Sequence, residues 1–364
     1  MTRPKRILIC PLNWGIGHAT RCIPVIQAIV DAGHHVVIAA DKGPLALLTD
    51  AFPAMDYIVF PGYTPTYSSS SLQVLAMSNQ LPEMFKSVAE ENSFIEKTVS
   101  KANIDAIVSD NRYGACSQKI PSAIITHQLN VQVPPWLFAA KPLLDFVLHR
   151  FINKFTECWV PDIGSTPNMS GSLSNQRGVK IPIHRIGLLS RFNSLDQGQK
   201  SKDNQENNIL VLLSGPEPQR TLFEKIIFRE SRYTDQPISV LRGLPASDDA
   251  ISSTPMLKLY NHANTEKLYD LISTAGLVIS RPGYSSIMDF ISLGKPAFFV
   301  PTPGQTEQEY LAKRMKKLGW FNYCNQDKFS LDEALGSSHQ YAPPQISNDG
   351  LLSAHIRQWI DKTR

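Results

Sequence analysis

Cysteine is scarce: Cys10, Cys22, Cys116, Cys158 and Cys324 are odd in number, lie far apart, and include no Cys-x-x-Cys pair. That excludes a disulfide scaffold and a zinc ribbon, and fits reduced structural thiols in a cytoplasmic chain. Long apolar runs are missing too. No window of about 18 apolar residues free of charge occurs, so no bilayer-spanning helix is encoded. The start, MTRPKRILIC, has only a four-residue apolar run before Pro11. It reads as a first strand and not as a signal peptide. Excess charge is small: a net +4 gives no argument for nucleic acid, although it does not oppose an anionic membrane surface. No Asp-x-Asp stands at a strand end and no Cys/His cluster has ligand spacing, so no metal and no cofactor are expected. The turn after the first strand has Gly15 and Gly17 but not the third glycine of the dinucleotide fingerprint, which argues against NAD.

What is present describes a globular α/β chain. Its 364 residues, 42% hydrophobic and 19% charged, are enough for two domains with a core each. Strand Arg6–Pro11, the turn NWGIGHATR, an apolar-periodic helix ending at Gly33 and strand His35–Ala40 form a β-α-β unit. Strands follow at Ala106–Ser109, Ala123–Thr126 and Cys158–Val160. The pattern restarts with strand Ile209–Leu213, turn Ser214-Gly215-Pro216, helix Leu222–Phe228 and strand Ile238–Leu241. Alternating strands and helices imply parallel sheets covered on both faces. Residues 164–180, rich in Ser, Gly and Asn, and residues 193–208, almost without apolar side chains, read as linkers or exposed loops. The expected architecture is two doubly wound, Rossmann-like domains facing a cleft, residues 1–188 and 189–349.

In open parallel sheets, ligands bind beyond the carboxyl ends of the strands. Three polar residues of the first half fall there: His18 in the glycine turn, Asp110 ending IDAIVSD, and His127 ending PSAIITH. In the second half, residues 280–310 (SRPGYSSIMDFISLGKPAFFVPTPGQTEQEY) hold the sharpest pattern. An apolar strand stops at a turn, Ser285 and Ser286 offer N-caps, a helix runs to Gly294, and a second strand leads to Pro301-Thr302-Pro303-Gly304. A helix N-terminus among small residues suits a phosphate. An ordinary capped α/β unit has the same outline.

The wording of this segment resembles the carboxy-terminal donor motif of MurG-like glycosyltransferases (family 28, GT-B fold), which use UDP-sugars. The resemblance implies that Gly283 and the turn Tyr284–Ser286, including Ser285, face the donor diphosphate or sugar. It places Asp289 on the ribose and Gln308 on the sugar. The family more often has Glu where Asp289 stands, and an Asn expected near Ala312 is missing, so the donor sugar stays open. LLSGPEPQR supplies Ser214 and Gly215 at a second helix start. RIGLLSRF resembles the family's glycine-x-x-x-arginine and would put Arg191 on the diphosphate; a hinge salt bridge is the other reading of that arginine. In the first half, Gly15, Gly17, His18 and Arg21 resemble the acceptor-side glycine loop. Thr126–Asn130 (THQLN) loosely resembles a histidine-glutamine-asparagine stretch, with His127 at the acceptor side. The fold analogy also implies that the final helix, 350–364, packs back on the first domain.

The implied activity is inverting, metal-independent transfer of a sugar from a nucleotide sugar to a hydroxyl acceptor, lipid-linked at the cytoplasmic membrane face. Such a reaction needs a base. His18 with Asp110 as its orienting partner fits, and so does Asp110 as the base with His18 on an acceptor phosphate. A sugar-nucleotide epimerase on the same fold, or a catalytically silent nucleotide-sugar-binding subunit, are the competing classes. The stretch Pro134–Phe155 carries Trp136, Phe138, Leu143, Leu144, Phe146 and Val147 with Lys141, Arg150 and Lys154. It reads equally as a peripheral membrane contact or as a core helix. The basic run Lys313–Lys317 reads as a solvated helix face.

Overall fold

The computed structural model describes residues 3–63, 80–193, 205–244, 253–346 and 350–363. Two compact units emerge: the first reaches Arg191 and takes in the carboxy-terminal helix, and the second begins at Phe192.

The first unit is built on a seven-stranded parallel sheet of order β3-β2-β1-β4-β5-β6-β7. Its strands are β1 Arg6–Pro11, β2 His35–Ala40, β3 Asp56–Val59, β4 Ala106–Asp110, β5 Ser122–Ile125, β6 Glu157–Val160 and β7 Ile183–Arg185. The helices include α1 Gly17–Asp31, α2 Lys42–Ala51, α3 Leu81–Lys101 and α4 Lys141–Ile152. Central strands are buried on both faces, with Ile7, Leu8, Ile9 and Cys10 fully inaccessible. Continuous apolar runs, not alternation, are what such strands require. The register pairs Pro11 with Asp110 and Asp110 with Ile125, so three strands end level at one edge.

The second unit has a six-stranded parallel sheet of order β10-β9-β8-β11-β12-β13. Here β8 is Gln205–Leu212, β9 Ile238–Leu241, β10 Leu257–Tyr260, β11 Ala275–Ser280, β12 Ala297–Phe299 and β13 Asn322–Tyr323. Helices α5 Gln219–Glu230, α6 Thr265–Thr274, α7 Tyr284–Leu293, α8 Thr306–Lys317 and α9 Leu331–Ser337 complete it. The core gathers Val211, Phe223, Val240, Ile279, Phe298 and Val300.

Three expectations need correction. Residues 164–180 are not a linker but a loop between β6 and β7 inside the first unit, exposed over 164–167 and 175–178 and buried at Met169, Ser170, Leu173 and Ser174. Their hydrogen bonding is met by two buried side chains. Asp162 accepts from the backbone N–H groups of Ile163, Met169 and Ser170. The Asn130 amide donates to the carbonyls of Ser172, Leu173 and Asn175. A polar loop of small residues can pack when its backbone groups find such partners. Within 193–208, residues 194–204 lie outside the described residues, and β8 already begins at Gln205, earlier than expected. At α7 the N-cap is Gly283, with no side-chain cap, so Ser285 and Ser286 sit inside the first turn. The helix does end at Gly294, which takes the left-handed conformation at φ 62° that glycine adopts most readily.

The carboxy-terminal helix Leu351–Lys362 buries Ile356, Trp359 and Ile360. Trp359 meets Trp159 of β6 edge-on at 5.0 Å between ring centroids. His355 Nε2 lies 3.2 Å from Glu157 Oε1. All five cysteines are buried and free. Burial pushes the Cys10 and Cys324 thiols up to about 12, so they are inert at neutral pH.

Candidate active site

At the level edge of the first sheet, Asp110 ends β4 fully buried, and α1 begins at Gly17 straight after the glycine turn. His18 is therefore in the first turn of the helix and Arg21 starts its second, and neither is in the glycine turn itself. Their i, i+3 spacing puts both side chains on one face. Gly15 holds φ at +89°, a value that favours glycine and lets the chain reverse into α1. Asp110 accepts from both: His18 Nδ1 is 2.7 Å from Oδ1, Arg21 Nη2 is 2.5 Å from Oδ1, and Arg21 Nε also donates to Oδ2. Arg21 Nη2 also lies 2.9 Å from His18 Nδ1. A guanidinium N–H cannot donate to a nitrogen that itself carries a proton. The Nδ1–H therefore donates to the Asp110 carboxylate, and Arg21 directs its own N–H groups to the same carboxylate. This leaves the imidazole lone pair on Nε2.

The electrostatics agree with a neutral imidazole. Burial and then the Arg21 charge lower the His18 pKa from its ordinary value, against the opposing pull of Asp110. Burial alone would raise the Asp110 carboxyl, but Arg21 and His18 outweigh it and hold it below the usual range. His18 keeps 17% of its side-chain surface exposed, while Asp110 keeps none. His127, two residues past β5 and buried, is close enough for its charge to act on His18. Beside the trio, Arg112 is locked by Glu91 at 2.8 Å and by the Phe60 carbonyl at 3.0 Å, and it lies 3.4 Å over the Phe60 ring. That arginine, invisible to the pattern reading, anchors the loop after β4.

In the second unit the corresponding edge carries Ser214 and Gly215 after β8, both exposed, with Gly215 at φ +98°. Gly283 and Tyr284 open α7; Ser285 is in its first turn and Asp289 is buried one turn further on. Gln308 on α8 is buried and accepts from the Thr302 N–H at 2.8 Å through Oε1, so its Nε2 donors are not used in that bond. Arg191 is not grouped with these residues: it is the last residue of the first unit. At the end of β10 the carbonyls of Tyr260 and Asn261 accept from the Arg242 and Leu244 N–H groups at 2.8 Å. Arg242 is a cation at the end of β9 that the sequence reading missed. Glu224 fixes it at 2.6 Å and Asn261 Oδ1 at 3.0 Å.

The glycosyltransferase family 28 C-terminal domain matches residues 253–340, which include α7, Asp289 and Gln308. This chain is a glycosyltransferase. An uncharacterized glycosyltransferase of Methanosarcina mazei is 22% identical over 86% of this chain and 85% of its own. A UDP-N-acetylglucosamine–N-acetylmuramyl-(pentapeptide) pyrophosphoryl-undecaprenol N-acetylglucosamine transferase of Sulfurihydrogenibium sp. is 32% identical, but over 36% of this chain and 38% of that one. Among solved structures, the glycotransferase of kitacinnamycin superposes at a TM-score of 0.66 with 13% identity, covering 100% of both chains. Acinetobacter baumannii MurG gives 0.56 with 13% identity, covering 99% of this chain and 100% of that one. The two parallel α/β sheets are those of a GT-B glycosyltransferase.

Proposed function

We propose that the enzyme is inverting and metal-independent, and that it moves a sugar from a UDP-linked donor to the hydroxyl of a lipid-linked acceptor. The observation that carries the reading is the Asp110–His18 contact, which leaves a neutral Nε2 lone pair at the strand edge. In the first unit His18 takes the proton of the acceptor hydroxyl, and Asp110 orients the ring and stabilises the imidazolium that forms. On this reading His18 is favoured as the base: Asp110 is buried and held ionised by the Arg21 guanidinium and the His18 N–H, which leaves it a poor proton acceptor. Gly15, Gly17, Arg21 and His127 frame the acceptor side. In the second unit the α7 N-terminus at Gly283, Tyr284 and Ser285 receives the diphosphate with Ser214 and Gly215. Asp289 holds the ribose and Gln308 Nε2 the sugar. Helix N–H groups stabilise the departing diphosphate, the role a divalent ion has in other enzymes.

Calorimetry with UDP in the presence of chelator tests the donor half. Binding is expected without added Mg²⁺ or Mn²⁺, and an absolute requirement for either ion would overturn the metal-free reading. Asp289→Asn is expected to weaken UDP by about 1–3 kcal/mol, the range for a charge-assisted hydrogen bond left incomplete. Equal affinity in that variant would remove Asp289 from the ribose.

A membrane-facing acceptor is supported by the segment before and within α4. Trp136, Phe138, Leu143 and Phe146 are 56%, 69%, 66% and 63% exposed, so this is not the core helix of the bland reading. Lys141, held by Asp145, and the exposed Arg150 and Lys154 bring positive charge to the same segment. Among the described residues no helix is long and apolar enough to cross a membrane. Sedimentation with phosphatidylglycerol vesicles is the measurement. Phe138→Ser should weaken binding by about 1.5–3 kcal/mol, the transfer free energy of one large apolar side chain. Unchanged sedimentation would detach this surface from the bilayer.

A further inference from the structure

Four arginines are buried among the described residues: Arg21, Arg112, Arg220 and Arg281. Three meet an acid, namely Asp110, Glu91 and Glu224. Arg281 does not. It follows β11 two residues before Gly283, is 1% exposed, and lies 4.4 Å over the Phe223 ring. Nη1 donates to the carbonyls of Val300 at 2.8 Å and Pro301 at 3.1 Å. Nη2 donates to the Gln219 carbonyl at 3.2 Å and to Gln326 Oε1 at 2.5 Å. Every one of these acceptors is neutral, and the buried Nε–H has no partner among the described residues. Burial pulls the guanidinium down to about 9, with no neighbouring charge of either sign contributing, and at neutral pH it is still a cation.

A buried charge without a counter-ion is costly, and proteins ordinarily pair it. Here it stands at the same strand end as the α7 N-terminus, whose free N–H groups add to the positive potential. The four contacts also choose their targets. Val300 and Pro301 lead into Thr302, whose N–H orients Gln308. Gln219 starts the helix that follows Ser214 and Gly215.

We infer that Arg281 is a positioning residue of the donor site: it fixes the loops around the diphosphate through their carbonyls, and its unpaired charge is completed by that diphosphate when the donor binds. This rests on the donor reading of α7 given above. A merely structural bracket would hold the pocket for every part of the ligand alike, whereas a charge kept for the diphosphate acts on anionic ligands alone.

Calorimetry on the full-length enzyme, Arg281→Gln and Arg281→Lys with UDP, uridine, ADP and inorganic pyrophosphate separates the two. Gln keeps amide donors but removes the charge; Lys keeps the charge but loses the planar fork. Arg281→Gln should weaken UDP and pyrophosphate about ten-fold or more and leave uridine within about two-fold, while Arg281→Lys stays within about three-fold for UDP, as a long-range charge term predicts. Equal losses of UDP and uridine, or an unchanged UDP-to-uridine ratio in Arg281→Gln, overturn the inference and leave the donor reading standing. If Arg281→Gln does not fold, Arg281→Lys decides. Retained UDP binding supports the charge, and joint loss of UDP and uridine refutes it. A wild type that binds pyrophosphate and ADP but not UDP refutes the uridine donor, while the Arg281 comparison still reads on pyrophosphate. A wild type that binds no diphosphate ends both.

Discussion

His18→Ala is expected to lower turnover by about 10²–10⁴, the usual contribution of a positioned general base, while UDP affinity measured by calorimetry stays within error of wild type. The separation follows from the fold. His18 belongs to the first unit, and the α7 turn, Asp289 and Gln308 belong to the second. His18 bonds to Asp110 and touches Arg21, and both of those belong to the first unit. The pH profile sharpens the test. The competent form is the neutral imidazole, so activity falls on the acid side as His18 gains a proton. Its pKa lies below 6.5 because burial and then Arg21 disfavour the cation. The acid limb of kcat/KM should therefore sit below pH 6.5 and vanish in His18→Ala. Full turnover in that variant would transfer the base role to Asp110. Loss of folding together with UDP binding would make the histidine structural.

Much of this was legible because the chain is locally consistent. Strands Arg6–Pro11, His35–Ala40 and Ile238–Leu241 were bounded correctly from apolar runs and turn residues alone. Runs buried on both faces leave little ambiguity about what they are. The approach of His18 to Asp110, 92 residues apart, is legible in the sequence because in a parallel sheet every strand delivers its last residue to the same edge. The illegible parts depended on specific long-range partners. Nothing local marks 164–180 as packed; a carboxylate at Asp162 and an amide at Asn130 do that. Arg21 was placed in the acceptor loop, but that it clamps Asp110 with two donors follows only from the helix beginning at Gly17. Arg281 and Arg242 follow strand ends where an arginine usually faces solvent, and only the burial of Arg281 and the Glu224 and Asn261 partners of Arg242 distinguish them.

Asp110→Ala should cost about 3–5 kcal/mol of stability, the penalty for breaking a buried ion pair from one side, in addition to its effect on the His18 tautomer. Arg21 is 2% exposed and gives Asp110 two hydrogen bonds. Without the carboxylate its charge stays buried and loses both of those hydrogen bonds. Replacing both partners by apolar residues of similar size, Arg21→Met with Asp110→Leu, removes the unpaired charge as well as the bond. The double variant should therefore be more stable than Asp110→Ala, although inactive as a transferase. The pair also fixes how the fold responds to acid. The Asp110 carboxyl is held below its ordinary value, since Arg21 and His18 outweigh burial. Its stabilisation is complete above the unfolded carboxylate pKa of about 3.9 and is lost as pH falls through the lower folded value. Urea unfolding of the wild type should show this loss setting in below about pH 4, and Asp110→Ala should lack that part of it. A variant within about 1 kcal/mol of wild type at neutral pH, the worth of an exposed pair, would mean that water reaches Arg21 and that the clamp on His18 is weaker than its burial implies.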